Sequence, residues 1–152
     1  MRVLLFLHIL SAIVFLSGAA VAGVLQSSAL RRDRPSEVAL LLRLTRVGVL
    51  LVGIGALGAL VFGLALAGQQ HRFDETWVSA SIALWVVSMA LGGFGGRTAR
   101  HARELAERLA AEGDSPSEEL RTLVAHRPSL LASYASTLVV LAILGLMVWQ
   151  PT

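Results

Sequence analysis

Residues 3–25, VLLFLHILSAIVFLSGAAVAGVL, form one apolar run of 23 positions that contains a single titratable side chain, His8. At about 1.5 Å of rise per residue this helix is about 34 Å long, enough to cross a hydrocarbon core of about 30 Å with some tilt. Backbone amides in hydrocarbon must be satisfied within the segment, which a helix does. Three further apolar runs, 47–68, 77–96 and 129–149, read as its partners. The 152-residue chain is 55% hydrophobic and 15% charged, with a mean hydropathy of +0.71, proportions of a polytopic membrane protein. The expected fold is all-α: a single domain, 1–152, folded as an antiparallel bundle of four transmembrane helices. Loops 26–46 and 97–128 are expected in the cytoplasm, the second folded as a helical extension between the third and fourth helices.

A cleaved signal peptide is the rival reading of the first run, with Arg2 as its n-region and Ala20-Val21-Ala22 as a small-x-small site. The run is longer than a usual h-region, and cleavage would put the following Arg-rich loop outside, so a retained helix is expected. The orientation follows from arginine. Residues 26–46 hold five (31, 32, 34, 43, 46) and 97–127 hold six (97, 100, 103, 108, 121, 127), against Arg2 and Arg72 on the other side. The positive-inside rule then places both termini and the 69–76 link outside a bacterial inner membrane, with Trp77 and Trp149 at the outer interface. Arg31, Arg32 and Arg34 are candidates to hold anionic lipid headgroups.

The second helix is expected to open at Pro35 and Ser36, with Val38, Leu41, Leu42 and Thr45 on one side. Gly55, Ala59, Gly63 and Ala67 recur every four residues and form a groove for a close helix neighbour. Gly68 is expected to end the span, and Asp74 or Thr76 to cap the next helix. Ser81, Trp85, Ser88 and Gly92 share a face of the third helix. The GGFGG run at 92–96 reads as close packing in preference to a hinge. Arg97 to Glu112 continues as a charged helix with Glu104–Arg108, Arg103–Glu107 and Arg108–Glu112 pairs, and with Ala102, Leu105, Ala106 and Leu109 along one side. Ser115 and Glu118 form a capping box with Pro116 at the first helical position, opening a short helix to about His126. Pro128 opens the fourth span.

The chemistry open to this chain is narrow. It has no Cys, which excludes disulfides, thiolate metal sites and cysteine nucleophiles. All thirteen basic residues are Arg, so no lysine Schiff base can form. No basic-aromatic pattern points to nucleic acid. The four spans hold no Asp, Glu or Arg, which disfavours a coupled transporter. His8 is therefore the candidate functional residue. It shares a face with Ser11, Ala12 and Phe15 and is expected to point into the bundle. Three roles are open to it: a neutral imidazole bonded to a serine or backbone carbonyl, an axial haem ligand, or a copper ligand shared with His71.

The strings HILSAIVFLSG at 8–18, RLTRVG at 43–48 and LMVWQP at 146–151 resemble a bacterial family of predicted four-helix integral membrane proteins of unknown function. More distantly, the first-helix string is similar to the membrane domain of copper-resistance D proteins and to the four-helix bacterial protoporphyrinogen oxidase. Those relatives imply a copper or haem ligand in helix one, which by position is His8. The chain has Phe15 and Ser17 where they more usually carry Trp and Gly, and it lacks the oxidase's later lysine. The favoured reading is non-enzymatic: a small subunit, scaffold or accessory protein in the bilayer, as a homo-oligomer or with other membrane subunits. The alternative is a haem- or copper-binding membrane redox protein that uses His8.

Overall fold

The computed structural model describes residues 2–71 and 74–149. Arg72, counted above on the outer side, and Gln150 and Pro151 of the closing motif lie outside the described residues.

All regular structure among the described residues is helical: α1 (Arg2–Ala29), α2 (Pro35–Gln69), α3 (Thr76–Ala111), α4 (Glu118–Val124) and α5 (Arg127–Trp149). Among the described residues four helices are long and apolar enough to cross a membrane, α1, α2, α3 and the one ending at Trp149, and the fold is a four-helix membrane bundle. Its outer surface is aliphatic. Val3 and Phe6 on α1, Leu50 and Ile54 on α2, and Leu131 and Leu138 on α5 are all half or more exposed. A soluble protein does not leave such faces uncovered; lipid covers them here.

The bundle consists of two helix pairs joined in different ways. Glycine joins α1 to α2. A Cβ built on Gly18 would lie 2.7 Å from the Gly48 carbonyl oxygen, and one on Gly48 would lie 2.8 Å from the Gly18 oxygen. One on Gly55 would lie 2.4 Å from the Phe15 nitrogen. The two backbones are in contact at these positions, so no larger residue fits without moving a helix. Hydroxyls join α3 to α5. Ser88 and Ser136 meet Oγ to Oγ at 2.9 Å, and Ser136 Oγ also donates to the Ser88 carbonyl at 2.9 Å. Ser129 Oγ donates to the Gly95 carbonyl at 3.1 Å. A Cβ on Gly95 would come within 2.5 Å of Ser133 Oγ, so this glycine serves close packing, and α3 runs straight through the 92–96 segment as helix.

The end of the bundle that carries α4 is closed by a compact core of Ala29, Val38, Leu42, Ala102, Ala106 and Leu120, with Leu105 and Leu109 packed against it. A second fastening lies 78 residues apart in sequence. Asp114 Oδ1 accepts from the Ser36 amide and Asp114 Oδ2 from the Ser36 hydroxyl, both at 2.7 Å. The carboxylate thus caps the start of α2 from the far side of the α3–α4 turn, where an anion is favoured by the helix dipole. These two bonds hold the Asp114 carboxyl below its ordinary value.

Four boundaries differ from expectation. α2 does not end at Gly68: Gln70 is the C-cap, its amide bonded to the Leu66 carbonyl, and the left-handed residue is His71, at φ 52°. The cap of α3 is Glu75, with no side-chain cap bond, in place of Asp74 or Thr76. The α4 cap is Ser117, whose Oγ accepts from the Leu120 amide at 3.4 Å. Ser115 and Pro116 therefore lie before the helix: Ser117 sits three residues before the Leu120 amide, the spacing that an N-cap hydroxyl requires. α5 starts at Arg127, one residue before Pro128, because the second helical position also needs no amide donor.

Candidate functional site

At the end opposite α4 the two helix pairs separate. Between them is a cavity of about 300 Å³. Its walls are mainly aliphatic and aromatic, including Phe15, Leu60, Trp77, Trp85, Met89 and Met147, with His8 among them. A pocket of this size with a few polar groups is the ordinary form of a small-molecule site.

His8 is held by α2. Its Nδ1 lies 2.9 Å from the Ala59 carbonyl oxygen. A carbonyl can only accept, so this contact puts a proton on Nδ1, and in the neutral ring Nε2 is then the nitrogen with a lone pair. Local sequence makes the bond feasible. One turn beyond Ala59 is Gly63, and a Cβ there would lie 3.0 Å from His8 Cε1 and 3.2 Å from Nδ1. Glycine at 63 leaves the space that the imidazole occupies. The nearby serine does not compete for the ring, because Ser11 Oγ donates within α1 to the Leu7 carbonyl at 2.8 Å.

The small-residue row of α2 is thus divided among three tasks. Gly55 faces the Phe15 backbone, Ala59 and Gly63 form the seat of His8, and Ala67 lines the cavity. Three further close approaches, at Gly18, Gly48 and Gly58, escaped the sequence reading; the Gly18–Ala22 spacing on α1 was the available signal. His71 is exposed in the turn after α2 and is not on the cavity wall. Among the described residues no group of three or more His, Asp or Glu side chains could hold a metal ion. Arg31, Arg32 and Arg34 are exposed at the α4 end, where Arg32 makes a 3.6 Å ion pair with Glu37.

The other polar groups of the wall divide into satisfied and unsatisfied. Ser81 Oγ donates to the Trp77 carbonyl at 2.8 Å, Ser88 is bonded to Ser136, and Trp77 Nε1 donates to Glu75. Trp85 Nε1 is buried and finds no acceptor among the described residues. The polar groups that the wall offers a guest are therefore the His8 ring and the Gln70 amide, while the Trp85 N–H is closed off from the cavity.

A family model described as predicted integral membrane protein (DUF2269) matches residues 2–151. No curated protein and no solved structure matches the chain.

Proposed function

The chain belongs to the DUF2269 family of predicted integral membrane proteins, and from that premise we propose that it is a non-enzymatic membrane subunit or accessory protein that holds a membrane-borne ligand beside His8. The observation that carries this reading is the imidazole fixed through Nδ1 to Ala59 in the wall of an apolar cavity. A ring held by one nitrogen offers the other to a guest at low entropic cost. The spans contain no Asp, Glu, Lys or Arg with which His8 could share proton transfer, which favours binding over catalysis. In this reading the α4 end lies in the cytoplasm, supported by the arginine distribution, and Arg31, Arg32 and Arg34 meet anionic headgroups.

The same tautomer supports a second reading, in which Nε2 ligates haem iron or copper. Ligating histidines commonly donate their other N–H to a backbone carbonyl, which orients the ring. Met89 and Met147 line the same cavity, and thioethers suit Cu(I) or the second axial position of a haem. This reading rests on His8 without His71.

Protein purified in mild detergent separates the two. The first reading expects a colourless protein whose organic extract contains a neutral molecule that a His8→Leu variant lacks. The second expects a Soret band or stoichiometric copper that His8→Gln abolishes. A wild type carrying nothing that the His8 variants lack would overturn both.

A further inference from the structure

We propose that a second pocket, at the α4 end, takes the phosphoethanolamine headgroup of a phospholipid. This pocket has a volume of about 300 Å³ and lies between the turn after α1 and the helix α4. That volume is at the small end of ligand pockets, which suits a headgroup in preference to a whole lipid. Its level in the membrane follows from helix length. α1 has 28 residues, so at about 1.5 Å per residue it is about 42 Å long, the thickness of a bilayer with its headgroups. Ala29, its last residue, is on the pocket wall, and so is Ala125, just before α5 begins at Arg127. The pocket therefore stands where two spans reach the headgroup layer.

The polar side chains of the wall select the guest. They are Arg32, Asp33, Ser117, Glu118 and Arg121, and the four charged residues are all exposed. Among the described residues no ion pair joins any two of these four. Arg32 has its 3.6 Å pair with Glu37, but both side chains are about half exposed, and such a pair holds its partners weakly. Two cations and two carboxylates thus line one pocket without neutralising each other, and their charges sum to zero. An anion would meet the carboxylates and a cation the guanidinium groups, whereas a dipolar ion satisfies both. Guanidinium groups donate in pairs to phosphate oxygens. Ser117 Oγ accepts from the Leu120 amide and keeps its own proton to donate to the same anion. A primary ammonium carries three donors for Asp33 and Glu118; a quaternary choline has none, and a glycerol headgroup has no positive charge. Leu30 on the same wall is exposed and apolar, a contact for the lipid's chains that soluble phosphoethanolamine would not use. Arg31 and Arg34 do not line the pocket and stand outside this balance.

The test is native mass spectrometry of the full chain in detergent, titrated with phosphatidylethanolamine, phosphatidylcholine and phosphatidylglycerol of identical acyl chains. The expected result is one ethanolamine lipid bound about tenfold more tightly than either of the others, the change made by one charge-assisted hydrogen bond. Arg121→Gln should weaken the ethanolamine and choline lipids alike, by about tenfold, because both carry the phosphate. Asp33→Asn with Glu118→Gln should erase the ethanolamine preference and turn it toward the glycerol lipid, a reversal that loss of packing would not produce. The variants are first shown to melt within the wild-type transition, and the comparison of the three lipids on the wild type stands without them. Equal binding of the three lipids, tightest binding of the glycerol lipid, or no binding would overturn the assignment. Glycerophosphoethanolamine, which has no chains, should compete poorly; competition equal to the lipid's would overturn the lipid as the source. The pocket lies at the opposite end from His8, so these outcomes leave the reading of the His8 cavity untouched.

Discussion

Gly53 and Gly55 lie two residues apart in α2 and differ in what an added methyl group would meet. At Gly53 a Cβ has nothing within 4 Å. At Gly55 it would lie 2.4 Å from the Phe15 nitrogen, 2.6 Å from Phe15 Cα and 2.8 Å from Phe15 Cβ. Carbon atoms pack best at about 3.5–4.0 Å, so a methyl at 55 requires a retreat of about 1 Å by backbone, which no rotamer change can provide. A gap of that size forfeits a quarter to a half of each contact it opens, and it would open them along the Gly18–Gly48 approach as well. The expected overpacking cost of Gly55→Ala is about 1–3 kcal/mol. Both substitutions also gain helix propensity, about 1 kcal/mol for Gly→Ala. That gain cancels in the comparison, so Gly55→Ala should be about 1–3 kcal/mol less stable than Gly53→Ala. Reversible unfolding of both variants in mixed micelles, followed by circular dichroism, measures the difference. Equal stability would refute the claim that α1 and α2 meet backbone to backbone at this position.

Three further outcomes follow from the same structure. Asp114 has a lowered pKa when folded, so its contribution is present above its unfolded value and is lost as pH falls through the folded one; acid melting of Asp114→Asn should lack that part of the wild type's decline. Topology is tested in whole cells: Gln70→Cys should react with an impermeant maleimide from outside, Ser117→Cys should be protected, and the reverse pattern would invert the orientation. Replacing Arg31, Arg32 and Arg34 together with Gln should lower co-purified anionic lipid, by about 1 kcal/mol of affinity per arginine removed, and mass spectrometry of the extract reads it.

The four spans were legible because a membrane makes its demand locally: a continuous run such as 3–25 has one solution in hydrocarbon. The Gly55–Ala67 spacing was equally visible, but spacing does not name the helix that fills a groove or the side chain that needs the room at Gly63. The partner of His8 was legible only as a class. A backbone carbonyl is present at every residue, so which of them accepts depends on how α1 and α2 are set against each other. Cap positions shifted by one or two residues because Ser115 and Ser117 offer the same hydroxyl chemistry, and tertiary packing chose between them. The Asp114–Ser36 cap spans 78 residues and left no local trace. The free Trp85 donor was hidden for the same reason, since its neighbours Ser81 and Ser88 find partners and it does not.

The proton of one imidazole fixes what the cavity can hold. Nitrogen-15 NMR of histidine-labelled protein in nanodiscs reports which ring nitrogen is protonated, and a His8→Gln sample identifies the signal among those of His71, His101 and His126. The structure predicts that His8 carries a proton on Nδ1, and that Gly63→Ala, which crowds the ring at 3.0 Å, disturbs this signal more than those of the other three. A His8 ring protonated on Nε2 with Nδ1 bare would contradict it.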